Sequence, residues 1–111
     1  MDITTKQFRR CDLVKAVGRI DSQTAPEVRD AFEALTNDGR FRLVFDMSEV
    51  TFISSVGVWV LLETQKACKR YNRGDLVIAN VNEKIKHTLD LAGLLSFFRI
   101  YDDVLEAVGS F

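Results

Sequence analysis

Proline and histidine each occur once in this chain, at Pro26 and His87, and cysteine twice. With one proline and no Gly/Ser-rich gap there is no linker to mark a boundary, so the expectation is a single domain, residues 1–111. Cys11 and Cys68 stand alone, without a CxxC or CxxH neighbour. They read as small buried or half-buried residues of a reducing compartment, not as a disulfide framework. His87 lies between Lys86 and Thr88, with no nucleophile or metal-ligand partner near it in sequence. It reads as an exposed residue of a helix. No apolar run approaches the roughly 18 residues of a membrane span. Residues 1–6 lack the apolar core of a signal peptide. Charge of one sign is also missing: the formal net charge is −1, which argues against a nucleic-acid footprint or a basic membrane patch. Phosphate-cradling glycine loops and the G-x-S-x-G elbow are absent, and no base is evident for a serine nucleophile. These absences point to a soluble, cytoplasmic, non-enzymatic protein without a metal or other cofactor.

What is present suffices for a core. Hydrophobic residues make up 47% of the 111 and charged residues 28%, ordinary values for a globular protein. Residues 3–10 form a weak, polar strand suited to an edge. Residues 13–17 form a stronger one, ending at Gly18, and 18–23 read as a loop. Thr24, Pro26 and Glu27 then open a helix, with Thr24 and Glu27 spaced as a capping box. Val28, Ala31, Phe32 and Leu35 fall on one helical face, and Asn37-Asp38-Gly39 stops it. The apolar run 41–46 reads as a buried strand, and 47–53 as a short link. Ser54, Ser55, Val56 and Gly57 open a helix predicted to run over 55–71. Its core side carries Val58, Leu61, Leu62 and Cys68, and its solvated side Lys66, Lys69, Arg70 and Arg73.

Further on, 75–79 is a strand apolar enough to be covered on both faces. Asn82 caps a third helix, with Ile85, Leu89 and Ala92 on one face and Gly93 closing it. Residues 96–101 form a last strand, and Asp102 or Asp103 caps a terminal helix. Strands alternating with four helices argue for an α/β fold with a largely parallel centre and right-handed crossovers. Sites in such folds form beyond the carboxyl ends of strands. The segments 18–23 and 47–54 follow successive strands and so meet at one end. Asp21, Asp46 and Asp75 near strand ends read as turn and cap residues.

Residues 17–27, V-G-R-I-D-S-Q-T-A-P-E, resemble the first signature of the STAS family, the anti-sigma-factor antagonists of bacteria. Residues 44–58, V-F-D-M-S-E-V-T-F-I-S-S-V-G-V, resemble its second, commonly D-L-S-x-V-x-F-I-D-S-S-G-L. Residues 76–80, 91–94 and 98–101 fit as well, so the resemblance covers nearly the whole chain. It implies a STAS-like mixed sheet and a partner-switching role. A cognate serine kinase, itself an anti-sigma factor or similar switch protein, phosphorylates the acceptor serine, and a PP2C-type phosphatase removes the phosphate. The unphosphorylated form binds the kinase and frees its client.

Carried onto this chain, the acceptor is Ser55, with Ser54 as the alternative. Ser54 stands where the family usually has aspartate, and Val56 where it has Ser, Thr or Ala. Trp59, four residues after Ser55, shares its helical face and is read either as an interface contact or as packed under a neighbouring loop. Asp21, Ser22 and Thr24 would border the same docking surface, and Asp21, Asp46 and Glu49 would already make it acidic. Two other classes compete: a phosphorylation-independent STAS scaffold within a larger signalling or transport complex, and a small-ligand module.

Overall fold

In a computed structural model, which describes all 111 residues, five strands form one sheet in the order β1-β2-β3-β4-β5. They are β1 (Asp2–Gln7), β2 (Asp12–Ile20), β3 (Arg42–Ile53), β4 (Asp75–Ala79) and β5 (Ile100–Tyr101). Only the β1–β2 pair is antiparallel. The helices are α1 (Ala25–Thr36), α2 (Ser55–Lys69), α3 (Glu83–Leu91) and α4 (Val104–Gly109). Each of α1, α2 and α3 joins a strand to its parallel neighbour, which adjacent parallel strands require.

The three crossover helices cover one face. Val28 and Phe32 of α1, Val58, Val60, Leu61 and Cys68 of α2, and Ile85 and Leu89 of α3 share a cluster with Val14, Phe45, Met47 and Ile78 of the sheet. Phe32 meets Phe45 edge-on, with ring centroids 5.1 Å apart, a favoured aromatic geometry. Burying each such large side chain contributes about 1.5–3 kcal/mol. On the other face α4 covers only the central strands, placing Ala107 against Cys11, Val44, Val77 and Ala79. β4 is therefore buried on both faces, as its unbroken apolar run predicts. β1 is the polar edge.

The strand ends depart from expectation where pairing is non-local. Residues 47–53 are not a link, because β3 continues through Ile53. Met47, Val50 and Ile53 still point into the helix-side core, and the polar pair Ser48-Glu49 hides this periodicity. Residues 18–20 likewise belong to β2 rather than to a loop. The pairing with β3 is kept by register shifts at Lys15/Val17 and Gly18/Arg19, and Gly18 takes φ +115° there, a region that favours glycine. The last strand shortens to two residues because Leu95–Phe97 turn as a 3-10 helix. The second helix ends at Lys69, and a 3-10 turn follows it in which Tyr71 has φ 57°. Ala92 is exposed beyond the end of α3 instead of sharing its buried face. Asn82 and Asp103 cap as their sequence context predicts, accepting from the N–H groups of Ile85 and Glu106 at 2.8 and 2.7 Å.

Candidate functional site

Beyond the carboxyl ends of β2 and β3 the chain turns twice in one place. Ile20 and Ile53 are register partners, and the Ser54 N–H donates to the Ile20 carbonyl at 2.8 Å. The turn after β2, with Asp21, Ser22 and Thr24, therefore lies beside the start of α2, with Ser54 and Ser55. The two serines divide their work. Ser54 is the N-cap, in extended conformation, and its Oγ accepts from the Gly57 N–H at 3.3 Å. Ser55 is the first helical residue, exposed, and its hydroxyl has no hydrogen-bond partner. The cap falls to the first serine, which leaves the second free.

Gly57 explains how the helix start comes so close to the sheet. A Cβ there would lie 2.7 Å from both Ile20 Cγ2 and Ile53 Cγ1, and both isoleucines are buried. Only glycine lets α2 begin directly over these strand ends.

Thr24 does not form the expected capping box. Its Oγ1 makes no cap bond to α1; it donates to the Arg19 carbonyl at 2.6 Å and accepts from the Asp21 N–H at 2.9 Å. Glu27 meets the N-terminal ammonium of Met1 at 3.5 Å instead. Asp21 organises the turn, its Oδ1 accepting from the N–H groups of Gln23 and Thr24 at 2.9 and 3.1 Å. Those bonds, Thr24's first and Gln23's second, hold the Asp21 carboxyl below its ordinary range. Its charge at this rim is thus fixed across physiological pH. Ser22 is exposed on the same turn.

Of the three acids expected to surround the serines, only Asp21 remains. Asp46 is buried mid-strand, where its Oδ1 takes the Ser48 N–H at 3.0 Å and the Asn80 amide at 3.2 Å. Glu49 pairs with Lys15 of β2 at 2.8 Å. The rim of the site is consequently less acidic than the sequence implied.

Trp59 is 59% exposed and Val56 44%, which rules out packing of the tryptophan under a loop. Together they edge a groove of about 380 Å³ between α1 and α2, floored by Phe32 and Val60 and flanked by Arg29 and Glu63. The Lys66 ammonium lies 5.6 Å from the Trp59 ring centre, a cation–π distance. This groove had no sequence signal beyond the spacing of Ser55 and Trp59. Gln65 also escaped notice. Buried in α2, it donates to the carbonyls of Leu76 and Phe97 and accepts from the Leu76 N–H, at 3.0, 2.7 and 2.7 Å. His87 is exposed on α3. No three His, Cys, Asp or Glu side chains gather as a metal site would require.

A family model of the STAS domain matches residues 2–107. The anti-sigma-B factor antagonist of Staphylococcus epidermidis is 26% identical over 87 residues, covering 78% of this chain and 80% of that one. The crystal structure of an anti-sigma factor antagonist from Mycobacterium paratuberculosis is 26% identical, with TM-score 0.87 over 98% of this chain and 92% of that one. SpoIIAA of Bacillus, solved in a phosphorylated form, shares the fold at TM-score 0.77 and 14% identity, over 98% of both chains.

Proposed function

The chain belongs to the STAS domain family, and from that membership we propose that it is an anti-sigma factor antagonist whose docking is switched at Ser55. The unphosphorylated protein binds a cognate serine kinase of the switch type through the rim formed by Asp21, Ser22, Thr24, Ser54, Ser55, Val56, Gly57 and Trp59, and so releases the kinase's client. The kinase transfers the γ-phosphate of ATP to Ser55 Oγ. ADP leaves, the hydroxyl proton passes to a base of the kinase, and the complex parts. A PP2C-type phosphatase hydrolyses the ester and restores docking. All catalysis belongs to the partners.

One observation carries this reading: Ser55 presents an exposed, unbonded hydroxyl on the first turn of α2, whereas the Ser54 hydroxyl is engaged as the cap. A phosphate on Ser55 adds about −1.5 to −2 charge at the end of the helix that favours anions. It therefore leaves the protein's own fold intact and acts on the partner. Beside Asp21, and next to the apolar pair Val56 and Trp59, the new anion imposes repulsion and a desolvation cost on a face that fits a neutral serine.

The test mixes the protein with candidate switch kinases and ATP, locates the phosphate by mass spectrometry and compares pull-down before and after. Phosphate on Ser55 and loss of binding are expected. Equal partner binding by Ser55→Ala and Ser55→Asp would refute the switch and leave a phosphorylation-independent scaffold.

A further inference from the structure

At the opposite end of the sheet, where β2 and β3 begin, arginines from three separate parts of the chain converge. Arg9 and Arg10 come from the β1–β2 hairpin, Arg40 and Arg42 from the entry to β3, and Arg73 from the turn after α2. They line a cavity of about 280 Å³ together with Asp12. Five guanidinium groups face one carboxylate, in a chain whose formal net charge is −1.

Two of the five are anchored. Arg40 holds Asp12 Oδ1 through Nε and Nη2, both at 2.7 Å. Arg73 donates to the carbonyls of Ala67 and Arg70 at 2.7 and 3.0 Å, and its guanidinium lies 3.7 Å from the Phe41 ring centre. The other three, Arg9, Arg10 and Arg42, are exposed and have no ion pair, hydrogen bond or aromatic partner. Gathering like charges without counter-ions is unfavourable, and a bound anion relieves it. Fork-shaped donors favour phosphate, which accepts from them in pairs. The cavity lies at the small end of ligand pockets, too small for a helix of about 10–12 Å diameter. Its one aromatic ring is already covered by Arg73, so it offers a nucleobase no free platform.

We propose that this arginine-lined cavity binds a compact anion carrying two or more linked phosphates, whether free or as the terminal group of a nucleotide, at a site separate from the Ser55 face. Arg40 and Arg73 form its fixed back wall. Arg9, Arg10 and Arg42 close on the ligand.

Calorimetry at low salt with phosphate, pyrophosphate, tripolyphosphate, AMP and ATP tests this on the whole chain. Affinity should rise stepwise from phosphate to tripolyphosphate. ATP matching tripolyphosphate, with AMP weak, is expected because the base adds nothing; AMP binding as tightly as ATP would overturn the proposal. Arg9→Gln, Arg10→Gln and Arg42→Gln combined should weaken tripolyphosphate by at least about tenfold per guanidinium that engages it, the effect of one charge-assisted bond. Melting of the unliganded variant should not fall, since none of the three makes a structural contact and their loss relieves mutual repulsion. Neutralising Lys66, Lys84 and Lys86 to glutamine removes the same charge elsewhere and should leave affinity intact. An equal loss there would reduce the effect to general attraction and overturn the site. So would tripolyphosphate affinity that survives the arginine substitutions, or tight binding of RNA or an acidic peptide without binding of tripolyphosphate.

Discussion

Replacing the two serines one at a time separates the cap from the switch. Ser54→Ala removes the oxygen that accepts from the Gly57 N–H, and that N–H belongs to a buried residue. Loss of an N-cap serine costs about 0.5–2 kcal/mol. The bond here is 3.3 Å, at the long end for N–H···O, so about 1 kcal/mol is expected. In a chain of this size that lowers Tm by about 4 °C. Ser55→Ala removes a hydroxyl with no partner and inserts the best helix former, so stability should change by no more than about 0.5 kcal/mol. Ser54→Asp keeps the cap, since Asp and Ser cap about equally, and adds an anion at the favourable helix end worth about 0.3–1 kcal/mol. It should be at least as stable as the parent.

Urea and thermal denaturation rank these three proteins. Phosphorylation by the cognate kinase should persist in Ser54→Ala and vanish in Ser55→Ala. Amide shifts in Ser55→Asp should stay within the first turn of α2 and the adjoining turn at residues 21–24. A stable Ser54→Ala beside an unstable Ser55→Ala would show that the hydroxyl roles are reversed. A phosphate found on Ser54, or shifts spread across the sheet, would sink the reading of Ser55 as an outward-acting switch.

Other substitutions probe what surrounds the serines. Gly57→Ala drives a Cβ into Ile20 and Ile53 and should cost about 1–3 kcal/mol while slowing phosphorylation; a neutral effect in urea would show that close packing does not set the helix start. Trp59→Ala should weaken the kinase complex by about thirtyfold or more, the effect of a hot spot, with stability nearly unchanged because the ring is mostly exposed. A large drop in Tm would reassign it to structure. Burial pushes the Cys68 thiol up from 9.0 to about 12, so the unfolded chain ionises there first as pH rises. The stability tied to this group is whole below about pH 9 and is lost between 9 and 12, up to about 4 kcal/mol. Cys68→Ala should flatten the alkaline slope of urea midpoints between pH 8 and 11, and an unchanged slope would disprove the linkage. Gln65→Leu strips three hydrogen bonds, two of them fully buried, joining α2 to β4 and to the turn before β5 and should cost about 2–4 kcal/mol; less than about 1 kcal/mol would mean that water replaces the amide.

Features that depend on a few adjacent residues were legible in the sequence. Asn82 and Asp103 cap where their context predicts, Gly93 closes α3 at φ +72°, and β4 has its predicted bounds. The family signatures placed Ser55 and the turn at Asp21 side by side, and the strand pairing brings them together. Features that depend on distant partners were not legible. β3 looked finished at Asp46 because Ser48 and Glu49 break its apolar pattern, yet shifted pairing with β2 carries it to Ile53. Thr24 matched a capping box by spacing, but the Arg19 carbonyl and the Asp21 N–H took its hydroxyl. The arginine cavity was invisible for the same reason: its members lie far apart in the chain, and a net charge near zero averages them away.

The start of α2 cannot yield easily to a new charge, and this sets where the energy of the proposed phosphorylation would go. Ser54 is tied through its N–H to the Ile20 carbonyl and through its Oγ to Gly57, and Gly57 is wedged between two buried isoleucines. Moving the helix would break those bonds and open the core, at about 1–3 kcal/mol for each element lost. Leaving it in place costs nothing, because the phosphate there meets free N–H groups and the positive end of the helix. The free protein would therefore accept the proposed modification without rearranging. In the proposed complex the same phosphate loses its water beside Val56 and Trp59, and an unpaired buried anion costs several kcal/mol. A micromolar complex is held by only about 8 kcal/mol, so a penalty of about 4 kcal/mol weakens it roughly a thousandfold. A rigid site thus makes the more decisive switch: a softer helix start would absorb part of that penalty by moving the charge aside.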